Sequence, residues 1–242
     1  MAQLNGENSN SNWRAQLSPD HSRLYIPYQP ASFENAAYAF QCYSIADGEI
    51  AWTTEPMQDA GVISMAISPS GDFLVTSSGY EDPRMHVWDA ETGKYLRNLA
   101  GHTGYVSQMM FANDGKLLVS ASTDQTIRVW DTETWEPLKT YRGHTSEVQG
   151  VAVSSTSQLI ASAGKDGKVA LWKLQETDKS TRYRQFLGEA FKSSDSTRSF
   201  GVVPLGHTRF LRWEYGKPAY IFDASQDFPP IQLEKPASSD QL

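Results

Sequence analysis

Short apolar runs recur along the chain, alternate with polar residues at a period of two, and are parted by turns of Gly, Asp, Pro and Ser. That period marks half-buried β-strands. Val106-Ser107-Gln108-Met109-Met110-Phe111 is followed, past a turn at Asp114, by Leu118-Val119-Ser120-Ala121-Ser122. The pair returns as Val148-Gln149-Gly150-Val151-Ala152-Val153 and Ile160-Ala161-Ser162-Ala163-Gly164. Ile63 to Val75 carries the same template through Ser68-Pro69-Ser70-Gly71-Asp72.

The interval between copies is fixed. Trp88, Trp130 and Trp172 are 42 residues apart, and so are Gly101-His102 and Gly143-His144. Four strands of about five residues, with their turns, fill such a unit. Two fainter copies flank the clear ones. Leu24-Tyr25-Ile26 and Cys42 to Ile50 form the first; Phe200 to Pro204, Phe210 to Trp213 and Tyr220 to Asp223 form the last. Residues 175–199 are the one long irregular stretch, with an outer strand near Tyr183 to Leu187. The units are placed at about 12–56, 57–99, 100–141, 142–190 and 196–235, between polar tails at 1–11 and 236–242.

Composition narrows the functional classes. Aromatics make up 12% of the 242 residues, enough core material for one all-β domain. The formal charge is −7, from 21 Lys and Arg against 28 acids, so nucleic-acid binding is not expected. The single cysteine, Cys42, allows neither an intrachain disulfide nor a cysteine zinc cluster. The N-terminus has no basic start or apolar core, and no run nears the ~18 residues that span a bilayer. The expectation is a cytoplasmic protein with no membrane insertion.

The Gly-His near the start of a unit, the Trp-Asp near its end and the interval between them resemble the WD-repeat family. The resemblance is strong over Val62 to Leu174. It implies an all-β β-propeller of four-stranded antiparallel blades, here about five. The family most often closes with seven, so five leave room for an incomplete ring. It also implies a structural hydrogen-bond tetrad in each complete blade: His102, Ser120, Asp124 and Trp130, then His144, Ser162, Asp166 and Trp172 at identical spacing. The preceding blade departs, with Gln58 for His, Thr76 for Ser, and Asp82 and Trp88 retained.

His102, Ser120 and Asp124 are also the residue types of a hydrolase triad. The trio recurs one unit later, as a structural device does and a nucleophile site does not. No G-x-S-x-G elbow, H-E-x-x-H pair or phosphate-loop spacing occurs, so no catalytic residue, metal or cofactor is assigned. In the family, the face from which the His-bearing loops emerge is the usual partner surface. By resemblance its candidate residues are Tyr105, Ser107 and Thr123, then Glu147, Gln149 and Lys165, and in the preceding blade Glu81 with Gly61 and Ile63. Trp135 lies in a turn where its repeat partner is Gly93; it suggests either a contact or packing on the neighbouring strand. The expected function is a non-enzymatic scaffold for a protein or peptide partner. The alternatives are a small propeller enzyme processing glycans, which needs converging carboxylates, and a fragment of a larger WD-repeat protein.

Overall fold

A computed structural model describes residues 15–28, 39–55, 62–79, 82–154, 159–174, 184–186, 200–214, 219–223, 225 and 231–233. The polar tails, Gln58, Gly61 and Glu81 lie outside them. The described elements are strands, in five four-stranded sheets, each antiparallel and ordered as in the chain.

The first sheet holds β1 (Gln16–Leu17), β2 (Arg23–Tyr28), β3 (Ala39–Ser44) and β4 (Ile50–Thr53). The second holds β5 (Ser64–Ile67), β6 (Phe73–Ser77), β7 (Met85–Asp89) and β8 (Tyr95–Leu99). The third holds β9 (Val106–Ala112), β10 (Leu117–Ser122), β11 (Thr126–Asp131) and β12 (Pro137–Arg142). The fourth holds β13 (Val148–Val153), β14 (Leu159–Gly164), β15 (Val169–Lys173) and β16 (Arg184–Phe186). The last holds β17 (Phe200–Pro204), β18 (Arg209–Glu214), β19 (Ala219–Asp223) and β20 (Ile231–Leu233). The first strands β1, β5, β9, β13 and β17 touch one another in that order, so each sheet is a blade with its first strand innermost. Among the described residues β17 and β1 share no such packing, and the blades form an arc rather than a closed ring.

The alternation in each strand explains the stacking. Residues paired across a sheet share a face, so each blade carries two rows of side chains. In the third blade, Leu118 pairs with Trp130, and both pack back on Val75 and Val87 of the second. Val119 pairs with Val129, and both pack forward on Val151, Ile160 and Trp172 of the fourth. Tyr25, Phe40 and Cys42 pack forward on Leu74 and Trp88, and Ala161 and Leu171 on Val202, Phe210 and Phe222. Each seam is thus one blade's forward face against the next blade's rear face. A bulge precedes Tyr43, Trp88 and Trp130 where the third strand meets the fourth, and it sharpens the blade twist there.

Hydroxyls stitch the seams. Ser77 Oγ donates to Val106 O at 2.8 Å and Ser107 Oγ to Val148 O at 2.5 Å, from one blade to the next. Tyr25 and Tyr141 donate to Ala90 O (3.2 Å) and Lys173 O (2.6 Å) further out. The turn position shared by Gly93 and Trp135 solves one packing problem in two ways. Gly93 has φ +72°, and a Cβ there would lie 2.5 Å from the Trp52 ring of the first blade. Trp135 adopts φ +62°, which costs a non-glycine residue about 1–3 kcal/mol. Its ring meets Phe73 of the second blade edge-on at 5.3 Å and is 7% exposed, so it fills the seam rather than contacting a partner.

Trp135→Ala keeps the strained turn and empties the seam. It should cost about 3–5 kcal/mol in urea unfolding. Leu138→Ala, on the solvent-facing edge strand three residues on, should stay within about 0.5 kcal/mol of wild type.

Candidate functional site

Two complete hydrogen-bond chains sit at the same end of the third and fourth blades. Trp130 Nε1–H donates to Ser120 Oγ at 2.9 Å, and Ser120 Oγ meets His102 Nε2 at 2.8 Å. His102 Nδ1 meets Asp124 Oδ2 at 2.8 Å. The fourth blade repeats this: Trp172 to Ser162 at 2.8 Å, Ser162 to His144 at 2.8 Å, His144 to Asp166 at 3.0 Å.

The donors fix the proton positions. An indole N–H can only donate, so the serine oxygen accepts it and its own proton points to Nε2. Nε2 is then the acceptor, and Nδ1–H donates to the carboxylate. Every polar atom is satisfied with a neutral imidazole. Burial accordingly pushes the His102 pKa below its usual 6.5, against the pull of the Asp124 carboxylate. Burial acts to raise the Asp124 carboxyl, but hydrogen bonds from His102, the Thr126 hydroxyl and the Thr103 amide outweigh it and hold it below the usual carboxylate range. Asp166 is held low in the same way by His144 and the amides of Thr145 and Lys168. The Ser hydroxyls are fully buried, each spent between an indole and an imidazole, so neither is presented as a nucleophile.

The second blade holds only part of this. Trp88 Nε1–H donates to Thr76 Oγ1 at 2.9 Å. Asp82 instead takes Arg84 in a two-pronged pair at 2.7 and 2.9 Å, and His86 Nε2 at 3.2 Å. His86 sits across the sheet from Thr76, where the third blade has Arg128, so this histidine reaches the turn from within the sheet.

What the tetrads anchor is the end of the disc carrying the His-bearing loops. The Lys165 amide donates to Glu147 O at 2.8 Å and the Thr123 amide to Tyr105 O at 3.1 Å, one repeat apart. Lys165 Nζ pairs with Glu147 at 2.7 Å, and Gln149 Nε2 donates to the same carboxylate oxygen at 3.0 Å. Glu147, Gln149 and Lys165 are therefore one half-exposed polar cluster, with half-exposed Tyr105 and Thr123 on the neighbouring blade. Ser107 does not belong to this surface. It is 4% exposed, because its hydroxyl is drawn into the seam by the Ala121 and Val148 carbonyls. Its repeat equivalent Gln149 is long enough to reach the surface cluster, whereas the short Ser107 side chain is bonded into the seam, and the position expected from the resemblance fails at this residue. Ile63, in the second blade, is half-buried.

The opposite end holds a cavity of about 610 Å³ between the first two blades, lined in part by Asp20, Asp72, Asp89, Glu91 and Arg23. Glycan hydrolysis needs a general acid with a raised pKa, and at Asp20 and Asp89 the environment acts in the other direction. The Ser18 and Ser22 hydroxyls bring Asp20 down to about 2, and the Thr92 hydroxyl and amide hold Asp89 low. Among the described residues no three His, Cys, Asp or Glu are grouped to hold a metal, and no helix is long and apolar enough to cross a membrane.

Radial four-stranded blades locked by repeated His-Ser-Trp chains define a repeat-built β-propeller. The family model described as "WD domain, G-beta repeat" matches residues 53–89, 93–131 and 135–173. The chain belongs to the WD-repeat family. It is 43% identical over 61 residues to the periodic tryptophan protein 2 homolog of Neurospora crassa, covering 25% of this chain and 7% of that protein. It is 47% identical over 55 residues to human WD repeat and SOCS box-containing protein 1, covering 22% and 13% respectively. The chain thus spans a small part of the curated relatives' length. The solved structure titled "Structure of U3-55K" superposes with a TM-score of 0.70 at 18% identity, over 92% of this chain and 64% of that one.

Ser120→Ala and Ser162→Ala each leave an indole N–H and an imidazole unpaired and should each cost about 1–3 kcal/mol. A chemical-denaturation series on each variant checks this. Because His102 is held neutral in the fold, the unfolded chain binds more protons below its ordinary pKa of 6.5. Stability present above that pH should fall as the pH drops through it. A urea midpoint that is flat from pH 7 to pH 5 would contradict the assignment.

Proposed function

We propose that the chain is a non-enzymatic scaffold that binds a protein or peptide partner on the end of the disc carrying the His-bearing loops. The observation that carries this is the pair of tetrads. They spend buried polar groups on holding adjacent loops at one end in register, and loops on a rigid frame are where recognition concentrates. Support for a non-catalytic role comes from the serines buried inside those chains and from carboxylates held ionised in their turns.

The binding patch is Tyr105 and Thr123 beside the Glu147, Gln149 and Lys165 cluster. Tyrosine is among the residue types enriched where binding energy concentrates at interfaces. The net charge of −7 favours a protein surface over a nucleic-acid backbone. A cytoplasmic location is part of the same reading, and one buried, unpaired cysteine supports it.

Combining Tyr105→Ala, Glu147→Lys and Lys165→Glu should reduce recovery of co-purifying proteins at least tenfold, with the urea midpoint within about 1 kcal/mol of wild type. Unchanged recovery from a folded variant would remove this face as the binding surface.

A further inference from the structure

Every internal seam joins the same two kinds of row. Forward faces carry Ala66–Val75–Val87–Arg97 and Met110–Val119–Val129–Lys139, read from the innermost strand outward. Rear faces carry Ile67–Leu74–Trp88–Tyr95 and Phe111–Leu118–Trp130–Pro137. Inside the arc the central members are sealed, with Leu118 and Val119 both 0% exposed.

The first and last blades carry the same kind of row on faces against which, among the described residues, no other blade packs. The rear face of the first blade bears Leu17–Leu24–Tyr43–Ile50, one residue from each strand, and its central members Leu24 and Tyr43 are only half-buried where Leu74, Trp88, Leu118 and Trp130 of the interior rear rows are buried. The forward face of the last blade bears Val203–Leu211–Ile221–Ile231, again one from each strand, with Val203 38% exposed. Neither row holds a charge. At the outermost strand the interior forward rows end on Trp52, Arg97, Lys139 and Arg184 in turn, and the last blade has Ile231 at that register position.

We infer that these two faces are a matched pair of unfinished blade interfaces, through which a second copy of this chain associates head to tail. The forward row of one copy takes the rear row of another, continuing the seam already formed four times within the molecule. The two faces are of opposite kinds, so each is complementary to the other and not to itself. Among the described residues of one molecule, β1 and β17 share no extensive packing. The contact is heterologous, the type that propagates or closes according to its rotation.

Sedimentation of the purified full chain across a wide concentration range tests this. The weight-average mass should climb above the monomer value. Leu17→Glu with Ile50→Glu disables the rear face, and Val203→Glu with Leu211→Glu disables the forward face. Each variant alone should stay monomeric, and an equimolar mixture should form a dimer and nothing larger, through the one surviving pair of faces. Circular dichroism confirms folding; if a glutamate pair does not fold, the corresponding Leu17→Ser or Val203→Ser variant takes its place. A wild type that is monomeric throughout overturns the inference, and leaves the faces to foreign blades or to further sequence of a longer protein. So does a folded single-face variant that still self-associates, or a mixture that does not associate.

Discussion

A radial sheet with two apolar faces cannot be stable by itself. Each four-stranded blade here presents one row forward and one row back, and both must leave water. At about 25 cal/mol per Å² of apolar surface, that burial is the dominant favourable contribution available to an all-β chain with no disulfide. Everything else follows from stacking the blades. The innermost strands are brought together, the outer strands are splayed, and each of the three middle blades depends on both neighbours. The seams are close-packed, which is why Gly93 must be glycine beneath Trp52 while Trp135 tolerates a left-handed backbone to fill the next seam.

The tetrads solve the second problem, created by the first. Burying an indole, a hydroxyl and an imidazole inside the stack strands three polar hydrogens. A relay from Trp130 through Ser120 and His102 to Asp124 ends at a carboxylate near the surface, where its charge is least costly. The relay ties the turn after the second strand to the loop before the first, and so fixes one end of the disc. Rigidity at that end is a by-product of polar satisfaction, and it is what makes the end suited to recognition. The same residues that resemble a hydrolase triad are thus consumed by the fold. Their geometry hides the serine oxygen instead of presenting it.

Much of this was legible in the sequence because repeats align residue with residue. The interval, the strand positions in the central units and the membership of both tetrads all follow from comparing one copy with the next. Where copies diverge, comparison loses its grip. Asp82 keeps its place in the second blade but turns to Arg84 and His86, and nothing in the repeat points to His86 as its partner. Ser107 shows a different limit. The family resemblance puts its position on the partner surface, but does not show that a short hydroxyl there is captured by the Val148 carbonyl of the next blade while Gln149, one unit later, reaches the surface. The seam stitches from Ser77, Tyr25 and Tyr141 were equally invisible, since they join a hydroxyl to the backbone of another blade.

By itself, then, the sequence determined what is periodic: strand length, turn chemistry, the two-sided apolar pattern and the spacing of the buried relay. These are local or repeat with the chain, so one copy predicts the next. Only the tertiary structure decided which of the two faces of each blade meets a neighbour and which is left open. Leu118 and Leu24 occupy the same row in their blades, yet one is sealed and the other lies half-buried on a face against which no described blade packs. Burial is a property of the neighbour as much as of the residue, and the neighbour is set by how the arc curves.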